Sequence, residues 1–169
     1  AAARMVEAVN RIALSEAPHG RGTVGYLQVL PNSRNVVAGQ VQFSVDFRNL
    51  SQDGLDRMDA ALRAALAQIA GATQVQVDVV QVVKYEPCLF DAHCVASVRH
   101  AAERLQLPHM DVVSGAGHDA VYVNGVAPTG MIFVPCKDGI SHNEIEDALP
   151  EHIAAGANVL LLAMLERAQ

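Results

Sequence analysis

The sequence predicts an α/β protein in two parts, a ferredoxin-like antiparallel α+β sandwich over residues 1–87 and a parallel α/β arrangement over residues 88–169. Three observations carry the expectation. Residues 41–48 alternate apolar and polar side chains, and residues 52–73 repeat apolar side chains at helical spacing. Beyond residue 88, short and nearly continuous apolar runs take turns with helical stretches, the pattern of strands covered on both faces.

The chain opens on "AAARMVEAVNRIALSEA", where Met5, Val6, Val9, Ile12 and Ala13 recur on one helical face. It begins inside this pattern with neither an initiator Met nor a capping residue, so a truncated start is expected. "GRGTVGYLQVL" breaks the helix and extends. In "NVVAGQVQFSVDFRNL", Val41, Phe43, Val45 and Phe47 face one way and Gln42, Ser44, Asp46 and Arg48 the other, a strand with one wet face. "SQDGLDRMDAALRAALAQIAGAT" is an amphipathic helix through Leu55, Met58, Ala61, Leu62, Ala65, Leu66 and Ile69, with a glycine exit. "QVQVDVVQVVKYEP" alternates again and stops at Pro87. The order helix, strand, strand, helix, strand completes a split βαβ sandwich if one strand precedes Ala1.

The texture changes between residues 86 and 90. "FDAHCVASVRHAAERLQ" is helical, "MDVVSG" a short buried strand, "AGHDAVYVNG" a helix start and "TGMIFVP" another buried strand. "LPEHIAAGANVLLLAMLERAQ" closes the chain as a long helix whose start lacks Ser or Thr before Pro150. No internal repeat or low-complexity segment interrupts the series.

A net charge of -6 with scattered basic residues argues against nucleic acid and anionic membranes as partners, because both demand clustered Lys and Arg. The three cysteines, Cys88, Cys94 and Cys136, have no zinc-finger spacing and follow no signal peptide, which points to a reducing, cytoplasmic setting.

Three stretches carry candidate chemistry. In "SGAGHDA", Gly115 and Gly117 free the backbone for close approach by a ligand, and the helix start after His118 suits an anion or a carbonyl group. The same residues also suit a tight strand-to-helix turn in which His118 caps a carbonyl. In "GISHNEIEDA", His142 lies beyond the carboxyl end of a buried strand, where α/β sheets bind ligands, and Ser141 and Glu144 spell a capping box that starts a helix. His142 could serve a metal or be a surface histidine, while Glu144, Glu146 and Asp147 complement the helix dipole. On the wet face of the first strand pair, Arg48 offers a fork of donors for a carboxylate, with Asn35 upstream in "PNSRNVV". An ordinary surface arginine paired with Asp46 satisfies the same pattern.

"PNSRNVVAGQVQFSVDFRNL", "SGAGHDA" and "MIFVPCKDGISHNEIEDA", in this order, resemble the hydantoinase/carbamoylase-type amidases, which include N-carbamoyl-L-amino-acid hydrolases, β-ureidopropionases and allantoate amidohydrolases. The resemblance covers nearly the whole chain. It implies a lid and dimerisation domain over residues 1–87, lacking its first strand, and the C-terminal part of an α/β dinuclear-metal hydrolase domain over residues 88–169. It further implies that Asn35 and Arg48 hold the substrate's carboxylate, that Gly117 and His118 bind substrate beside the metals, and that His142 is a ligand to a zinc or manganese pair. The implied activity is metal-dependent cleavage of the carbamoyl or amide C–N bond of a small N-carbamoyl or ureido acid, in a homodimer joined through the lid.

The family's other metal ligands and its glutamate base lie upstream of the lid, and no such segment is present in these residues. At most one metal ligand is therefore expected in this chain, and the chain alone is expected to be inactive. His93, His100, His109 and His152 read as surface residues. The alternatives are a non-catalytic dimerisation or binding module, and a related metallo-dipeptidase.

Overall fold

The computed structural model describes residues 1–168 and divides into two compact units, Ala1–Pro87 and Cys88–Gln169, of which Gln169 lies outside the described residues. In the first unit, α1 (Ala2–Ser15) is followed by β1 (Arg21–Thr23), β2 (Leu27–Leu30), β3 (Gln40–Phe43), β4 (Asp46–Arg48) and α2 (Gln52–Thr73). β1 pairs antiparallel with β4 and β2 with β3, in the registers Gly22 to Phe47 and Val29 to Val41. The two ladders form an interrupted ribbon. Where they part, the amide of Tyr26 donates to Ser44 Oγ at 3.2 Å and the amide of Ser44 donates to the Tyr26 carbonyl at 3.1 Å.

Burial along 41–48 alternates strictly: Val41, Phe43, Val45 and Phe47 are half-buried and their neighbours exposed. The apolar face packs on a core of Met5, Val9, Ile12 and Ala13 from α1 and Met58, Leu62 and Leu66 from α2, with Met58 fully buried. This is an antiparallel α+β unit, as the periodicities predict. α1 has no side-chain cap, so its stability comes from this packed face. α2 is capped at its start by Ser51 Oγ, which accepts from the Gly54 amide at 3.1 Å. It does not leave through glycine: it runs past Gly71 to Thr73 and ends on Gln74 in the left-handed region, φ 54°.

The second unit contains α3 (Ala92–Arg104), α4 (Asp119–Asn124), a single 3₁₀ turn (Lys137–Gly139) and α5 (Pro150–Arg167). Asp91 caps α3, its carboxylate accepting from the Cys94 amide at 2.9 Å. α3 and α5 pack through Ala101, Ala102, Val159 and Ala163, and the buried Ser97 hydroxyl ties them by donating to Glu166 Oε1 at 2.9 Å. Small residues let the two helices approach closely. At Gly156 a Cβ would stand 2.6 Å from Val134 Cγ1, so glycine is what lets α5 lie on the 130–134 segment.

Three further expectations are corrected here. The runs 74–87, 110–115 and 129–135 carry no strand pairing among the described residues, and Val80, Val82, Val83 and Val113 are exposed. Alternation and apolarity report which faces want burial; a strand also needs a ladder for its N–H and C=O groups, and these runs form none among the described residues. The capping box at Ser141 and Glu144 starts no helix. Residues 142–145 form a turn in which the Asn143 side chain accepts from the Ile145 amide at 3.1 Å, and the helix begins only at Pro150, after extended Leu149. Lastly, His152 is half-buried, with Nδ1 enclosed and unpartnered among the described residues, whereas His93, His100 and His109 are exposed as expected.

Candidate functional site

Each candidate residue is held by partners of its own. Asn35 sits in the exposed loop between β2 and β3, its Oδ1 accepting from Ser33 Oγ at 3.0 Å. Arg48 ends β4 on the wet face. Its Nε donates to Asp46 Oδ1 at 2.8 Å and its Nη2 lies 3.4 Å from Asp46 Oδ2. This hydrogen bond first, and the negative charge behind it second, raise the guanidinium's pKa further, so the group stays charged at any physiological pH. With both side chains about half exposed, at 54% and 55%, the pair orients Arg48 more than it stabilises the fold.

In the second unit, His118 is the residue before α4 and has extended backbone, φ -138° and ψ 149°. Its ring caps no carbonyl. Nε2 lies 2.5 Å from Ser114 Oγ, and the ring meets Phe133 edge to face with centroids 5.5 Å apart at 68°. The imidazole is thus half-buried and fixed from two sides on an otherwise exposed loop. At Gly115 and Gly117 a Cβ would meet nothing within 4 Å, so neither packing nor a positive φ demands glycine.

His142 is exposed in the turn between the 3₁₀ turn and α5, with φ 55°, and its amide donates to Glu146 Oε2 at 2.7 Å. The Glu146 carboxylate therefore ties down the turn itself, not a helix start. Among the described residues, no three His, Cys, Asp or Glu side chains converge in a way that could hold a metal ion. A structural or catalytic zinc takes at least three protein ligands, so the residues present do not by themselves make a metal centre. Cys88, Cys94 and Cys136 are half-buried free thiols.

An open, largely apolar groove of about 590 Å³ runs between α3 and α5, lined by Val98, Ile132, Val134, Ile153 and Leu160 among others. None of the candidate residues lines it. Sequence reasoning missed Ser114 and Phe133, the two residues that hold the His118 ring. Ser114 opens the "SGAGHDA" stretch, and a hydroxyl four residues before a histidine in a glycine loop was the available signal.

An antiparallel α+β unit followed by a helical unit with a fixed loop histidine is an arrangement this chain shares with known proteins. Residues 2–166 match the model of Peptidase family M20/M25/M40, and the chain belongs to that family. It is 46% identical over 169 residues to an N-carbamoyl-L-amino-acid amidohydrolase of Rhizobium meliloti, an alignment that takes in all of this chain and 41% of that protein. It is 32% identical over 146 residues to the allantoate amidohydrolase of Escherichia coli strain K12, covering 86% of this chain and 36% of that protein. A solved hydantoinase/carbamoylase family amidase from Burkholderia multivorans superposes with a TM-score of 0.94 at 59% identity, over 99% of this chain and 41% of that one. The resemblance read from the three sequence stretches is borne out. The chain spans about two fifths of the length of these relatives. No helix among the described residues is long and apolar enough to cross a membrane.

Proposed function

We propose that this chain forms the lid and the C-terminal catalytic part of a metal-dependent amidohydrolase that cleaves the linear C–N bond of small N-carbamoyl or ureido acids. The observation that carries the reading is the Ser114–His118 loop, an exposed glycine backbone beside an imidazole clamped from two sides. Its support outside the structure is the 46% identity, along the whole chain, to a protein named for that reaction.

In this reading residues 1–87 are the lid and dimerisation domain and residues 88–169 belong to the catalytic domain. Asn35 and Arg48 hold the substrate's carboxylate, the guanidinium exchanging or sharing Asp46 for it. The Gly117 backbone and His118 face the scissile carbonyl, where a neutral ring N–H steadies charge developing on oxygen. His142 supplies one ligand to a zinc or manganese site completed by residues outside this chain, and the chain alone is inactive. The setting is cytoplasmic and the assembly a homodimer joined through the lid.

The test is a hybrid in which this chain replaces the aligned segment of the Rhizobium meliloti relative, assayed for release of free amino acid from N-carbamoyl amino acids. The hybrid is expected to be active, with His142→Ala lowering kcat/KM by roughly 100-fold or more, given that even residues supporting a ligand are worth about 10–100-fold. A folded hybrid that turns over no carbamoyl substrate would sink the reading in favour of a non-catalytic module. A rate unmoved by His142→Ala would remove that residue from the metal.

A further inference from the structure

We infer that Ser114 is a positioning residue that locks the His118 ring in its Nδ1–H tautomer, so that Nδ1 rather than Nε2 is the nitrogen that donates to a ligand. The hydroxyl has one proton and two lone pairs to dispose of. One lone pair accepts the Ala116 amide at 3.1 Å. Of the protein acceptors beside this exposed hydroxyl, the Ala116 carbonyl stands at 3.5 Å and His118 Nε2 at 2.5 Å. O–H donors favour about 2.5–3.0 Å, so of the two acceptors Nε2 is the better placed for the proton. Nε2 is then an acceptor, and a neutral ring carries its own proton on Nδ1.

The loop is built for this contact. Gly115 and Gly117 flank Ala116, and the Ala116 amide folds back onto the Ser114 hydroxyl, which sets Oγ at the height of the ring four residues on. Phe133 meets the ring edge to face and stops it from rotating off the hydroxyl. A neutral donor of fixed direction suits a carbonyl or carboxylate oxygen; an imidazole left to itself favours the other tautomer and would present an acceptor on Nδ1. What this donor does for a substrate rests on the functional reading above, but the tautomer itself does not.

Long-range proton–nitrogen correlation spectra of the purified chain, at a mildly alkaline pH where histidines are neutral, read the tautomer directly. The protein has seven histidines, and loss of one signal set in His118→Gln identifies the ring in question. We expect the Nδ1–H pattern for His118 in the parent chain, its replacement by mainly Nε2–H in Ser114→Ala, and its retention in Ser114→Thr, which keeps the hydroxyl. Phe133→Leu is expected to shift the ring's proton resonances through the lost ring current. An Nε2–H pattern in the parent, or an Nδ1–H pattern that survives Ser114→Ala, would overturn the assignment. Should Ser114→Ala not fold, Ser114→Gly removes the same hydroxyl from this exposed position and decides it. An inactive hybrid leaves this result untouched, and a wrong tautomer leaves the amidohydrolase reading standing, so the two failures are separable.

Discussion

Arg57 on α2 grips Glu16, the residue that ends α1, with both prongs of its guanidinium: Nε to Oε1 at 2.8 Å and Nη2 to Oε2 at 2.6 Å, across 41 positions of sequence. The pair bolts together the two helices whose apolar faces form the first unit's core.

The hydrogen bond from Arg57, opposed by desolvation and helped in smaller measure by the Arg57 charge, holds the Glu16 carboxyl below its ordinary value of 4.5. A carboxylate whose pKa is depressed on folding stabilises the fold fully above the unfolded value and loses that contribution as pH falls through the folded one. The first unit should therefore keep the benefit of this pair at neutral pH and shed it below about pH 4.5. In Arg57→Ala, an NMR titration of Glu16 should move upward towards 4.5, and the acid limb of the stability profile should flatten. A Glu16 titration unchanged by the substitution would show that the pair is not populated in solution.

Close packing between α5 and the 130–134 segment gives a second prediction. Gly156→Ala gains about 1 kcal/mol of helix propensity, yet its Cβ would stand 2.6 Å from Val134 Cγ1, and Val is stiff at χ1. Overpacking of this kind costs about 1–3 kcal/mol, so the net effect should be a loss of about 1 kcal/mol in urea unfolding. Combined with Val134→Ala, the clash is gone and Gly156→Ala should turn neutral or stabilising. Simple additivity of the two substitutions would mean that the contact does not limit the helix.

Much of the first unit was legible because its signals are periodic and its partners are local in space. The alternation from Val41 to Arg48 appears unchanged in the burial pattern, and Met5, Val9, Ile12, Ala13, Met58, Leu62 and Leu66, all found on predicted apolar faces, are the core. Periodicity cannot say what pairs with a strand, which is why the valines of 75–83 read as strand yet show no ladder among the described residues. At Ser141 a local motif misled: S-x-x-E spells a helix start, but Asn143 offers its own side chain to the backbone and His142 takes positive φ, so a turn forms and the helix waits for Pro150. The loop histidine was legible as a candidate, whereas its hydroxyl partner was not, because an i to i+4 contact across two glycines follows no repeat.

Arg48 supplies the last prediction, made for the hybrid with the Rhizobium meliloti relative. If its fork holds a carboxylate, Arg48→Lys keeps the charge but loses the paired N–H donors, and KM should rise by roughly 10-fold, about 1.4 kcal/mol, close to the lower end of the range for one hydrogen bond to a charged group. The turnover number should change little, since the carboxylate is bound alike in ground and transition states. Asp46 occupies the same guanidinium through an exposed pair worth about 1 kcal/mol at most, so Asp46→Asn should lower KM by no more than about 5-fold. Steady-state kinetics of the two variants measure both numbers. An Arg48→Lys enzyme with unaltered KM would leave Arg48 as a surface residue paired with Asp46.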